Sequence, residues 1–291
     1  MTEYTTTEIR NVAFVGHAGA GKTLLTEALA HNAGAIATKG SIEKGTTVTD
    51  FDDLEKKHQH SLTSSLAAFD HNGWQVNLID TPGYPDFIGS AFSVLPAVET
   101  VAIVVNAQRG IESTARRMLE WVRDQNQCRM VIINRIDAEE VDLEVVYEQV
   151  RNVFGRECLA VNLPATGGTA VADCFFSPTG ESDFSSVEAA HTAIVDQTVE
   201  VDEELMSLYL EDGDISPEQL HDPFEKALRE GHLIPVCFTS ASTGVGISEL
   251  LDIIGKLLGR GLHKVSAGAH YGSANIAVQG KFGAPHGVNY H

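Results

Sequence analysis

The short apolar run Val12–Val15 passes directly into "GHAGAGKT" (16–23), and a stretch with helical periodicity follows. A strand that turns through glycines into a helix is half of a βαβ unit, and a buried parallel strand needs neighbours on both sides. This one junction commits the chain to an α/β architecture before anything else is read. The spacing Gly16-x-x-x-x-Gly21-Lys22-Thr23 adds chemistry to that geometry. Across Gly16, His17, Ala18, Gly19, Ala20 and Gly21, successive backbone N–H groups can turn inward on a phosphate, and the helix N-terminus adds its partial positive charge. In that setting Lys22 reaches the β- and γ-phosphates, and the Thr23 hydroxyl holds Mg²⁺.

The rest of the pattern agrees. Nearly continuous apolar runs recur at Val76–Ile79, Val101–Val105, Met130–Ile133 and Ile234–Phe238, as expected of strands buried on both faces. Between them lie helical periods, such as Ala115, Met118, Leu119 and Val122 after Ser113, a candidate N-cap. The fold class is therefore a doubly wound, mostly parallel α/β sheet. One strand departs from the parallel pattern: Asn72–Gly73 between two strand-like segments predicts a type I′ hairpin, with an antiparallel strand around Thr63–Phe69.

From 159 to 230 the texture changes to short strands and turns. An acidic helical stretch around Val199–Leu210 follows, then a helix start at Ser216-Pro217-Glu218-Gln219. We read 8–158 as the first part of the core, 159–230 as an inserted α+β subdomain and 231–258 as the last core strand and helix. The remainder, 259–291, is Gly- and Ala-rich without a period and reads as an irregular tail.

Charge and cysteine usage narrow the function. A formal net charge of −20 argues against direct, sequence-specific nucleic-acid binding, which runs on clustered Lys and Arg. The cysteines are irregularly spaced with no CxxC pair, as in the reduced core of a cytoplasmic protein. No apolar run approaches the length of a membrane span, and "MTEYTTTEIR" carries no signal-peptide core.

Three further stretches sit where strands end. Asp80, closing "VNLID" before Thr-Pro-Gly83, lies at the carboxyl edge where open α/β sheets bind ligands. It suits Mg²⁺ coordination through water, and the Gly83 N–H suits a γ-phosphate. In "VIINRID", Asn134 and Asp137 close another strand, and a carboxylate there can accept two N–H bonds from guanine that adenine does not offer. "CFTSAST" ends the last strand, and the backbone of Ser240 and Ala241 can receive the guanine O6.

In this order, the four stretches resemble the G domain of translational GTPases, within the elongation factor G group, over roughly Glu8 to Leu258. "DTPGYPDF" is similar to the family's switch II, "NRID" to its Asn-Lys-x-Asp motif, and "VDEELMSLYLEDGDISPEQL" to the helical end of the subdomain inserted in elongation factor G. The resemblance implies GTP and GDP binding with Mg²⁺, ribosome-stimulated GTP hydrolysis and a conformational switch. Lys22 and Thr23 then serve the phosphates, with Asp80 at Mg²⁺, Gly83 at the γ-phosphate, and Asn134, Arg135, Asp137, Ser240 and Ala241 at guanine.

Four departures from the family are informative. Tyr84 stands where the water-orienting histidine is usual, and a phenol is a poor base at neutral pH, so hydrolysis is expected to be slow or to use another group. A divergent elongation-factor-G-like branch carries this tyrosine. Gly19 replaces the P-loop aspartate. The switch I motif Arg-Gly-Ile-Thr-Ile corresponds to His58-Gln59-His60-Ser61-Leu62, in which Ser61 retains a hydroxyl for Mg²⁺, and Arg135 replaces a lysine. The chain is also expected to lack the four domains that follow the G domain in elongation factor G. Two other readings are a GTP-responsive switch with negligible hydrolysis and a P-loop kinase or ATPase, against which Asn134 and Asp137 argue.

Overall fold

The computed structural model describes residues 4–125, 127–212 and 215–258. The expected tail, 259–291, lies outside the described residues. Strands β1 (Ile9–Val15), β2 (Ser65–His71), β3 (Trp74–Asp80), β4 (Thr100–Asn106), β5 (Cys128–Asn134), β6 (Cys158–Ala160) and β9 (Ile234–Thr239) form one sheet in the order β2-β3-β1-β4-β5-β9-β6. Every neighbouring pair is parallel except β2–β3. The doubly wound sheet with one reversed strand is thus borne out. The reversal is made by Asn72 (φ 46°) and Gly73 (φ 87°), both in the left-handed region that a type I′ turn demands.

Helices α1 (Lys22–Asn32), α2 (Asp53–His58), α3 (Ile88–Val94), α4 (Ser113–Asp124), α5 (Leu143–Phe154) and α9 (Ile247–Leu257) belong to the segments that connect or follow these strands. The central strands are buried along their whole length: every residue of β4 and β9 is core. Ser113 is the first residue of α4, not its N-cap. The cap position falls to Glu112, which makes no side-chain capping bond because its carboxylate turns toward His17 and Arg109.

Beyond β6, strands β7 (Asn162–Ala165) and β8 (Ala170–Asp173) form a second, antiparallel sheet. Helices α6 (Val187–Val199), α7 (Glu203–Asp212) and α8 (Pro217–Glu230) follow. Asn162 ties this region to β9: its buried amide donates to Phe238 O (3.1 Å) and accepts from Phe238 N (2.7 Å). The acidic helical stretch expected around Val199–Leu210 is α7, separated from α6 by a short break. α6 ends at Val199, and the Asp202 carboxylate accepts from Leu205 N (3.0 Å), starting a new helix where the first could have continued. The start of α8 follows the sequence reading, with Ser216 and Gln219 bonded reciprocally as a capping box and Pro217 in the first turn.

A buried cation locks α9 onto the sheet. Arg10 is 1% exposed, donates to Gly255 O (3.0 Å) and Thr7 O (2.8 Å), and lies 4.1 Å from the centroid of Trp74. Gly255 is required there, because a Cβ would come within 2.7 Å of the Trp74 ring. Among the described residues, no helix is long and apolar enough to cross a membrane.

Candidate functional site

The register brings the carboxyl ends of the strands into one row. Phe14 pairs with Asp80, Asn106 with Asn134, and Asn134 with Thr239. Side chains far apart in the chain therefore line one sheet edge, the place where open parallel sheets bind ligands.

At one end, the loop 16–21 runs from β1 into α1. Gly16 (φ 142°) packs so closely on β4 that a Cβ would overlap Val104 O, and Gly21 (φ 92°) is the N-cap of α1. Gly21 has no side chain to cap the helix, so the first N–H groups of α1 remain available to an anion. Lys22 is buried, and its Nζ donates to Gly16 O (2.9 Å) and His17 O (3.0 Å). Burial pulls its pKa down to about 8, against the opposing pull of Asp80 and Asp50. Gly83 lies directly against this loop: a Cβ there would come within 2.5 Å of Lys22 Nζ and 2.6 Å of Ala18 N.

His17 is 2% exposed, with Nε2 3.2 Å from Glu112 Oε1. Burial, outweighing Glu112, lowers its pKa and favours the neutral ring.

A chain of hydroxyls and carboxylates sits beside Lys22. Thr23 Oγ1 donates to Asp80 Oδ2 (2.7 Å), and Thr49 Oγ1 donates to the same oxygen (3.0 Å). Ser61 Oγ is 3.3 Å from Thr23 Oγ1 and donates to Asp50 Oδ1 (2.7 Å). The candidate metal ligands Thr23, Ser61 and Asp80 are thus brought together. Asp80 Oδ1 is buried with no hydrogen-bond partner. Burial raises the Asp80 pKa to about 6 and also raises that of Asp50. An orphaned carboxylate oxygen beside two hydroxyls is a donor set that fits a hard divalent cation.

The switch-like segment before β2 is held by one buried side chain. Glu55, 1% exposed, accepts from Leu62 N (3.0 Å) and Thr63 N (3.2 Å). Gln59, standing where the family motif has glycine, adopts the left-handed conformation (φ 58°) that glycine favours.

At the far end, Asn134 is 1% exposed and joins three segments. Its Nδ2 donates to Ala20 O (2.9 Å), and its Oδ1 accepts from Ala241 N (3.1 Å). Asp137 is exposed and accepts from Ser242 Oγ (2.7 Å). Burial pushes its pKa up, but hydroxyls of Ser240 and Ser242 outweigh this and leave it below the usual value, so it is an acceptor only. Arg135 (φ 68°) lies across from Gly21, whose added Cβ would sit 4.0 Å from Arg135 Nε. The two ends therefore lie along one sheet edge, joined by the Asn134 side chain.

Several neighbours escaped the sequence reading. Lys39 donates to Ala241 O (3.2 Å) and Ser242 O (2.9 Å), and Glu27 accepts from Gly40 N (2.7 Å) and from Val48 N. These residues, with Thr49 and Asp50, lie in or contact an irregular loop that has no period to read. Asn106, which donates to Gly19 O (3.1 Å), was the legible omission, since a polar residue ends an apolar run there as at Asp80 and Asn134.

Residues 7–259 match the family model described as the elongation factor Tu GTP binding domain. An elongation factor G-like protein of Mycobacterium tuberculosis is 32% identical over 258 residues, covering 84% of this chain and 36% of that protein. The tetracycline resistance protein TetW of Butyrivibrio fibrisolvens is 30% identical over 247 residues, covering 85% of this chain and 36% of that protein. A crystal structure of a Thermus thermophilus protein superposes with a TM-score of 0.79 at 32% identity, covering 87% of this chain and 41% of that one. The chain spans about a third of the length of the curated relatives it matches.

Proposed function

The chain belongs to the family of elongation factor Tu GTP-binding domains, and from that premise we propose that it binds GTP and GDP with Mg²⁺ and hydrolyses GTP as the G domain of an elongation-factor-G-like translation factor acting on the ribosome. Residues 8–158 and 231–258 form the GTPase core on this reading, and 159–230 its inserted subdomain. The observation that carries it is the Asn134 side chain, bonded to the phosphate loop on one side and to the Ser240–Ala241 loop on the other.

Each residue has a role that its surroundings support. The N–H groups of 16–21 and the start of α1 cradle the phosphates, and Lys22 leaves its carbonyl partners for phosphate oxygens. Thr23, Ser61 and Asp80 hold Mg²⁺, directly or through water, where it neutralises charge on the phosphates. The Gly83 N–H takes the γ-phosphate. Asp137 accepts from guanine, the Ser240 and Ala241 amides face O6, and the Arg135 stem packs along the base. With a net charge of −20, the ribosome is met through surfaces other than a basic face of this domain.

Calorimetry with GTP, GDP and ATP tests the assignment: tight binding of the guanine nucleotides and weak binding of ATP are expected, and equal affinities refute it. The second reading, a GTP-responsive switch with negligible hydrolysis, rests on Tyr84, which is 43% exposed beside the phosphate loop. Single-turnover hydrolysis with and without ribosomes separates the two.

A further inference from the structure

Tyr84 leaves the cleft without the family's histidine, yet an imidazole stands beside it. The His60 ring lies 4.6 Å from the Tyr84 ring, centroid to centroid, tilted by 49°. The chain neighbours of this pair fix its position. Ser61, next to His60, is 3.3 Å from the Thr23 hydroxyl, and Gly83, next to Tyr84, is packed against Lys22. The residues that flank the pair in the chain therefore border Thr23 and Lys22.

His60 is also held in place. Its N–H donates to Glu55 O (3.3 Å), and the following residues donate to the buried Glu55 carboxylate. Its Nδ1 is 3.4 Å from Ser61 O, a contact that suits the Nδ1–H tautomer and leaves the Nε2 lone pair as an acceptor.

We infer that His60, from the segment before β2, orients the attacking water for GTP hydrolysis in place of the histidine absent at position 84. This rests on the GTPase reading above. In the step, a water oxygen lone pair bonds to the γ-phosphorus as the bond to the β–γ bridging oxygen breaks. That electron pair leaves on GDP, and the water proton leaves with inorganic phosphate. His60 Nε2 accepts a hydrogen bond from the water, fixing its line of attack. Tyr84 buttresses the imidazole ring.

The test uses the full chain with Mg²⁺ and ribosomes, comparing wild type, His60→Ala, His60→Gln and the double variant His60→Ala/Tyr84→His. GDP affinity and thermal unfolding are measured alongside single-turnover hydrolysis. Losing the alignment of the water is expected to slow His60→Ala by about a hundredfold, with GDP affinity unchanged within about twofold. His60→Gln is expected to stay within about tenfold of wild type, because its amide oxygen can accept the same bond. The double variant is expected to recover at least about tenfold over His60→Ala, since it returns an imidazole to the site. His60→Ala turning over within about threefold of wild type overturns the inference, as does equal loss in all three variants. GTP bound but not hydrolysed by the wild type also overturns it while leaving the nucleotide site intact. Failure to bind GTP instead sinks the GTPase reading itself.

Discussion

Asp80 is the buried carboxylate around which the site is organised, and replacing it with asparagine gives a result opposite to the usual effect of removing a site residue. In chelator and without nucleotide, the folded pKa of Asp80 is raised from 3.8 to about 6, chiefly by burial, with the hydroxyls of Thr23 and Thr49 offsetting only part of that penalty. A carboxyl whose folded pKa lies above its unfolded value stabilises the fold fully below 3.8 and loses that contribution as pH rises through about 6. At 1.36 kcal/mol per pH unit, ionised Asp80 costs about 3 kcal/mol at pH 7 and roughly half that at pH 5. An Asp80→Asn amide keeps an oxygen for the two threonines and carries no charge. The metal-free variant is therefore expected to exceed wild type in stability by about 3 kcal/mol at pH 7, the gap narrowing toward pH 5. Urea unfolding in EDTA across that range measures it, and the wild-type-minus-variant difference cancels the titration of groups that do not interact with Asp80. With Mg²⁺ and GDP the order is expected to reverse, because only wild type gains from ligand linkage. A difference independent of pH, or a variant less stable in EDTA at pH 7, refutes the reasoning.

Asn134→Ala strands the Ala20 carbonyl and the Ala241 amide in a buried seam. It is expected to cost about 2–4 kcal/mol in chemical unfolding and to weaken GDP binding by calorimetry. Asp137→Asn converts an acceptor-only carboxylate into an amide that can also donate. A loss of GDP affinity of about a hundredfold and a new preference for xanthosine diphosphate are expected in competition binding. Arg10→Ala removes the donor to Gly255 O and Thr7 O and the cation over Trp74. It is expected to lower stability by about 3 kcal/mol while leaving the affinity of the remaining folded protein for GDP unchanged.

Legibility in the sequence followed locality. Four of the strands legible in the sequence, β3, β4, β5 and β9, are nearly continuous apolar runs that end in a polar residue at the ligand edge, and β1 instead ends at the glycines of the loop that follows it. The hairpin at Asn72–Gly73 was legible because only a few residues tolerate two successive positive φ values. Ser113 differs from the sequence reading by one position: helical backbone begins at Ser113 itself, so the cap position falls to Glu112, one residue earlier. The acidic helical stretch expected around Val199–Leu210 is α7, and its start at Glu203 is set by one local Asp202 bond that helix propensity does not announce.

What the sequence determined by itself is the chemistry at each strand end: glycines where backbone must approach closely, Lys22 and Thr23 at a helix start, Asp80, Asn134 and Asp137 at or just past strand carboxyl ends. These depend on short-range sterics and on the identity of a few side chains. Only the tertiary structure decided which of those ends meet. Strand order places β1, β3, β5 and β9 so that Asn134 touches both loops, and the 39–63 segment, irregular apart from α2, brings Thr49, Asp50 and Ser61 to Asp80 and Thr23. That segment has no periodicity of its own. Its conformation is fixed by buried Glu27 and Glu55, through hydrogen bonds whose partners no local pattern announces.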